Sequence, residues 1–197
     1  MDRVFQIIVD NTSGVLSRIS GLFSRRGYNI ESITAGVTAD PRFTRITIVT
    51  SGDEAILEQI EKQVAKLIDV RDVRELKPEE SVYRELAMVK VKVSAKEREG
   101  VISLSNIFRA NIIDVAPQSL MIEIVGGQDK IDAFLDLLEG YEILELARTG
   151  IAALGRGIDR VVHIEDDGTV RGWTDHMRAL EEEKKLQQKK NGKKARK

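Results

Sequence analysis

The chain has no cysteine. Disulfides, thiolate nucleophiles and cysteine metal sites are thereby excluded. Histidine is scarce as well: His163 and His176 are the only two among 197 residues, and both lie in the C-terminal part. Aromatic residues make up 5% of the chain, with one tryptophan, so any core is built mainly from Ile, Leu and Val. Charge of one sign is missing too. Lys and Arg number 31 against 32 Asp and Glu, a net charge of -1, so no bulk field draws nucleic acid or an anionic membrane. No apolar run reaches the roughly 18–20 residues a membrane span needs. The chain enters a strand pattern at once, "RVFQIIV", with no signal or transit segment ahead of it. The expectation is a soluble, cytoplasmic protein.

What is present is ordinary in amount. Apolar residues make up 42% of the chain, and its length suits one large domain or two small ones. Val4–Val9 reads as a strand. From Val15 to Arg26 the spacing predicts a helix with Val15, Leu16, Ile19, Leu22 and Phe23 on one face, closed by Gly27 as C-cap. Asn29–Thr38 alternates on Ile33, Ala35 and Val37. "ADPR" is a turn with Pro41 as breaker, and Arg45–Thr50 alternates on Ile46 and Ile48. "SGDE" opens a second helix whose stripe is Ile56, Leu57, Ile60, Val64, Leu67 and Ile68. Val70–Leu76 is the last strand, and Pro78 closes the unit. The order β-α-β-β-α-β is the ferredoxin-like split pattern.

The pattern then repeats. "ELAMVKVKVS" is a strand, and "VISLSNIFRAN" a helix with Ile102, Ile107 and Phe108 inward. Two strands flank Pro117, "DKIDAFLDLLEGY" is a helix, and "ILELARTGIAAL" begins as a strand. The echo of "ITIVTSGDEAILEQIEKQ" in "IEIVGGQDKIDAFLDLLE" favours two successive units over one domain. The expected fold class is α+β, with two tandem ferredoxin-like (βαββαβ) domains over 1–78 and 79–157. Residues 158–197 form a charged tail. Within it "RVVHIEDDGTVRGW" reads as a hairpin around Asp167-Gly168, and "KKLQQKKNGKKARK" as a basic, frayed end.

The stretch "DNTSGVLSRISGLFSRRGYNIES", Asp10 to Ser32, is a strand end, a polar loop, a helix and the approach to a second strand, with no group able to do acid–base or nucleophilic chemistry. With "DPRFTRITIVTSGDEAILEQIEKQVAKLIDV", "IFRANIIDVAP" and "LARTGIAALGRG" it closely resembles the regulatory, or small, subunit of acetolactate synthase (acetohydroxyacid synthase) over about residues 1–157. The resemblance implies an N-terminal ACT effector-binding domain followed by a second ferredoxin-like domain. It implies as partner a separate catalytic large subunit that holds thiamine diphosphate, magnesium and a flavin (FAD), this chain carrying no cofactor itself. That enzyme joins pyruvate to a second 2-keto acid, towards valine, leucine and isoleucine. The small subunit raises its activity and confers feedback inhibition, usually by valine. ACT domains of this family pair side by side as a homodimer, with the effector between them.

The loop's own chemistry stands beside that. Unpaired amides at a helix start favour an anion, so the amides of Val15 and Leu16 are candidate donors to an amino acid's carboxylate. Gly14 lacks a Cβ and would let a ligand approach the backbone. Asn11 and Asn29 each offer a carboxamide oxygen to an ammonium. Ile30 and Leu16 are candidate apolar walls. The second strand should be a sheet edge, which invites pairing with an identical copy and would set Asn11 and Gly14 of one copy against Asn29 of the other. Each residue also has a plainer use. Asn11 can hold the turn, Ser13 can cap the helix, and Asn29 can fill an αL turn position; Ser17 can only stand behind the site.

Other signals read as structure. Arg25 and Arg26 are a solvated helix end. Gly155-Arg156-Gly157 is a linker without dinucleotide-binding spacing. His163, with only Glu165 nearby, is a surface histidine, Trp173 packs the tail, and Asp166 and Asp167 belong to a turn. An acylphosphatase-like hydrolase would need an arginine in "DNTSG", which has none. An RNA-binding module would need aromatics on the central strands, where "RITIVT" has none. An ACT-type sensor serving another enzyme or a transcription factor is the alternative, against which "GYNIESIT" argues.

Overall fold

The computed structural model describes residues 2–158 and, as backbone only, the strand residues 162–164 and 170–172. The described residues divide into a first unit running to Glu80, which also takes in Gly155 onward, and a second unit, Ser81–Leu154.

The first unit runs β1 (Asp2–Asp10), α1 (Val15–Arg26), β2 (Ser32–Val37), β3 (Phe43–Ser51), α2 (Glu54–Val64) and β4 (Val70–Leu76). Its antiparallel sheet has the order β2-β3-β1-β4, so β2 is an edge. Phe5 pairs with Ile48 and Ile7 with Ile46. Those four pack with Val9 against Val15, Ile19, Leu22 and Phe23 of α1 and Leu57, Ile60 and Val64 of α2. The alternate residues of β1, Val4, Gln6 and Ile8, are buried as well. Both faces of that central strand leave water, which is why its apolar run is nearly unbroken. Helix α1 stops at Gly27, whose φ of 67° lets its amide reach back to Phe23 and Ser24 carbonyls.

Helix α2 starts at Asp53, whose carboxylate accepts from the Ile56 amide at 2.8 Å. Asp53→Ala is expected to lower stability by about 1 kcal/mol, read as a lower midpoint in urea unfolding at unchanged slope.

The second unit repeats the plan with β5 (Ser81–Lys92), α3 (Arg98–Ile107), β6 (Asn111–Ala116), β7 (Ser119–Gly126), α4 (Gln128–Leu137) and β8 (Glu142–Arg148). Its sheet order, β6-β7-β5-β8, is that of the first unit, so the architecture is two ferredoxin-like βαββαβ units. Here the strands alternate. Ala87, Val89, Val91 and Val93 meet Val101, Ile131 and Phe134 of the helices, while Met88 and Lys92 on the opposite face are exposed. Phe108 and Phe134 pack with ring planes tilted by 59° and centroids 5.4 Å apart. A short strand, β9 (Ala152–Gly155), also pairs with β5. Strands β10 (Val162–Ile164) and β11 (Val170–Gly172) form an antiparallel hairpin. The turn at Asp166 to Gly168, the His163 side chain, Trp173, His176 and the basic end lie outside the described residues. No helix among the described residues is long and apolar enough to cross a membrane.

Several expectations need correction. Leu16, placed on the inward face of α1, is 47% exposed, because it lies on the flank of the helix rather than over the sheet. Strand β2 begins at Ser32, so Asn29 and Ile30 precede it. Ile33, Ala35 and Val37 point to the helix side of the sheet yet stay exposed, since β2 is an edge with no helix over it. Ile56 and Ile107 are exposed, and Ile68, which lies beyond the end of α2, is almost fully so. The N-cap of α1 is Gly14, and no side chain caps it, so Ser13 does not play that part.

Candidate functional site

The loop between β1 and α1 is held from two sides. On the β4 side, the Asp10 amide donates to the Asp69 carbonyl at 2.9 Å, and the Asp10 carboxylate takes both Arg71 donors, Nε at 2.7 Å and Nη2. On the β3 side, the Asn11 amide donates to the Arg42 carbonyl at 2.7 Å. Asn11 Nδ2 donates to the Pro41 carbonyl at 3.0 Å, and Asn11 Oδ1 accepts from Thr44 Oγ1 at 3.1 Å. Asn11 therefore does hold the turn, and its oxygen keeps one lone pair for another donor.

Gly14 follows with φ 81° and ψ -3°. That left-handed conformation turns the chain so that the amides of Val15, Leu16 and Ser17 open α1 with no intrahelical acceptor. Arg18 N is the first helix amide to be paired, with the Gly14 carbonyl at 3.0 Å. A cavity of about 280 Å³ lies along this edge, lined by the Asp10–Ser17 segment with Val9, Thr44 and Ile46. Leu16, exposed on the helix, forms part of its wall. The structure gives a further reason for the glycine. The left-handed φ favours glycine here, and a Cβ at Gly14 would stand in tight contact with Arg18 Nη1, at 3.1 Å.

Asn29 and Ile30 are elsewhere. Asn29 is exposed, and its carbonyl accepts from Thr50 Oγ1 at 2.5 Å. Its Nδ2 donates to Glu31 Oε1 at 2.5 Å, which leaves Oδ1 turned away as an acceptor. Hydrogen bonds from Ser51 and then from Asn29 hold Glu31 below its ordinary carboxylate pKa. Ile30 packs on the edge of the hydrophobic core. Asp10 pairs with Phe43 and Asn29 sits beside Thr50, seven residues along β3, or roughly 23 Å at about 3.3 Å per residue. Within one chain, then, Asn11, Gly14, Val15 and Leu16 come together and Asn29 and Ile30 do not join them.

Sequence reasoning missed three participants. Thr44 fixes the Asn11 amide, Arg18 lies behind Gly14, and Glu31 adds a carboxylate beside Asn29. Thr44 and Arg18 become visible only through register and loop closure. Glu31 could have been noticed in "NIES", two residues after Asn29.

The equivalent loop of the second unit is built differently. Glu97 precedes α3 in an ordinary right-handed conformation, and its carboxylate accepts from the Ser94 amide at 2.8 Å. Hydrogen bonds from Ser94, its hydroxyl first, lower the Glu97 pKa. The amides of Glu97 and Arg98 donate to the Ser94 carbonyl. A larger cavity, about 530 Å³, adjoins this loop, yet the chain's own carboxylate already sits at the helix start. Of the two loops, the first opens its helix from a left-handed glycine beside a cavity, and the second from a right-handed residue whose carboxylate is folded back onto Ser94.

Comparison with known proteins agrees with this division. Residues 5–72 match the family described as AHAS small subunit-like ACT domain, and residues 84–157 that described as small subunit of acetolactate synthase. A probable acetolactate synthase small subunit of Methanothermobacter thermautotrophicus is 51% identical over 156 residues, 79% of this chain and 93% of that protein. The acetolactate synthase isozyme 3 small subunit of Escherichia coli is 47% identical over 158 residues, 80% of this chain and 97% of its own. The crystal structure of an acetolactate synthase small subunit from Thermotoga maritima superposes with a TM-score of 0.75 at 39% identity, covering 81% of this chain and 99% of that one. The family matches end at residue 157.

Proposed function

This chain belongs to the family of acetolactate synthase small subunits, its first unit being an ACT domain, and from that premise we propose how it works as a regulator. It turns over nothing alone. It joins a catalytic large subunit, which holds the thiamine diphosphate, magnesium and flavin, raises that subunit's activity in the cytoplasm, and makes it subject to feedback inhibition by a branched-chain amino acid, valine first. Residues 1–78 bind the effector, and 79–157 support the dimer, contact the large subunit or transmit the signal.

The observation that carries this reading is the left-handed Gly14 turn, which presents the Val15 and Leu16 amides to a cavity wide enough for a small amino acid. Amides at a helix start favour a carboxylate. The ammonium needs acceptors: Asn11 Oδ1 offers one beside the cavity, and within the chain the exposed acceptors at Asn29 and Glu31 are at the far end of the sheet. Antiparallel pairing of two β2 edges reverses the strand direction and brings the Asn29 end of one copy to the Gly14 end of the other. Such pairing also covers Leu16, Ile33 and Val37, which are 47%, 41% and 61% exposed in a single chain. An effector that bridges the seam stabilises the joined state by mass action.

Calorimetric titration of the purified chain with valine, leucine and isoleucine tests the assignment, alongside sedimentation. Expected are saturable binding of at least one of the three, no heat with a branched acid lacking the amino group, and a dimer that dissociates at lower concentration when the effector is present. Absence of binding by all three, or binding by a chain that sediments as a monomer throughout, overturns it. Acetolactate formed by the chain without a large subunit would also count against it.

A further inference from the structure

We propose that Arg18 and Asp69 form the positioning pair of the effector loop, a clamp that holds the Gly14 turn so that the Val15 and Leu16 amides converge on one point. This rests on the effector-binding reading above and assigns it two residues that contact no ligand.

Asp69, in the connection between α2 and β4, grips both ends of the loop. Its carbonyl accepts from the Asp10 amide at 2.9 Å, where β1 ends. Its carboxylate, 15% exposed, accepts from Arg18 Nε at 2.6 Å. Arg18 then extends back across the turn, with Nη2 3.4 Å from the Ser13 carbonyl and Nη1 close behind Gly14, 3.1 Å from where a Cβ there would lie. The guanidinium thus spans a carboxylate and a carbonyl on two different segments. A planar fork can do this, whereas a lysine ammonium on a flexible stem cannot hold both directions at once.

The clamp answers a need of this loop. No side chain caps α1, so nothing local fixes the first helical turn, and a glycine at that position is free to leave the left-handed region. On the β3 side Asn11 is well tied, but those bonds end two residues before Ser13. The Ser13–Gly14 segment is steadied from behind by Arg18. Since a bound carboxylate takes its affinity from amides already aimed at it, loosening the clamp should weaken binding without removing any ligand contact. The second unit lacks an equivalent, and there Glu97 closes its own loop.

The experiment uses the full chain and valine as probe (or whichever of the three amino acids the wild type binds). Arg18→Gln and Asp69→Asn are each expected to weaken affinity about tenfold. Together they should weaken it about tenfold in total rather than a hundredfold, because two members of one contact do not add. Arg18→Lys should fall between wild type and Arg18→Gln. The exchange Arg18→Asp with Asp69→Arg should recover part of the loss, a rescue that general destabilisation cannot give, and it decides the matter if either single variant unfolds early. Wild-type affinity in folded Arg18→Gln, or additive losses with no recovery in the exchange, overturns the clamp and leaves the effector site standing. A wild type that binds none of the three amino acids removes both.

Discussion

Gly14→Asp is expected to abolish effector inhibition of the reconstituted enzyme while the small chain still folds and still activates its partner. At φ 81° a side chain is strained by roughly 1–2 kcal/mol, which a two-unit protein of this size tolerates. The new Cβ would point at Arg18 Nη1, and the carboxylate beyond it would compete with Asp69 for that guanidinium. Its charge would also stand at the helix start where the proposed effector's carboxylate would bind. The loop then either relaxes out of the left-handed region or supplies its own anion, as Glu97 does in the second unit. Asn29→His is expected to have the same effect from the far end of the sheet, by replacing an acceptor with a bulkier ring.

The pair of variants also tests whether the site spans two chains. In the proposed dimer each site takes Gly14 from one copy and Asn29 from the other. A heterodimer of Gly14→Asp with Asn29→His therefore carries one doubly damaged site and one intact site. Mixing the two inactive proteins and allowing exchange should restore binding to at most half the sites of those heterodimers. No restoration after verified exchange places the site within one chain and rejects the seam.

The second large effect is one of stability, in the second unit. Arg148 donates from Nε and Nη2 to both oxygens of Glu85, at 2.8 and 2.7 Å, and from Nη1 to Asp132 at 2.8 Å. The Glu85 side chain is 4% exposed. The hydrogen bond from Arg148 Nε and Nη2 to Glu85, ahead of that to Asp132, raises the arginine's pKa above its ordinary value. Arg148→Met leaves a buried carboxylate without its counter-charge and is expected to destabilise the unit by about 3 kcal/mol. Adding Glu85→Leu should recover most of that, since a buried pair contributes little net stability against apolar replacements of similar size. Urea midpoints for the two proteins check this, and equal midpoints would contradict it. The pair between Lys90 and Glu145, which lies on the surface, should be dispensable by the same measure.

Much of this molecule follows from its one-dimensional pattern. The 3.6-residue period of Val15, Ile19, Leu22 and Phe23, the β-branched run of β1 and the doubled strand–helix order specify two βαββαβ units, because periodicity alone decides which face of an element can leave water. The glycine just ahead of α1 is equally legible, but that the helix starts uncapped is not, since Ser13 could have served. Tertiary structure alone decided the rest. Whether Ile33 and Val37 are core or surface depends on which strand ends up without a neighbour, and alternation carries no information on that. Thr44 and Asp69 join the loop, and Asp69 meets Arg18, through contacts between residues far apart in sequence, set by register and connection geometry. Most tellingly, Asn29 belongs beside Gly14 in sequence distance yet sits at the opposite end of β3, because an antiparallel sheet sends successive strand ends to opposite poles.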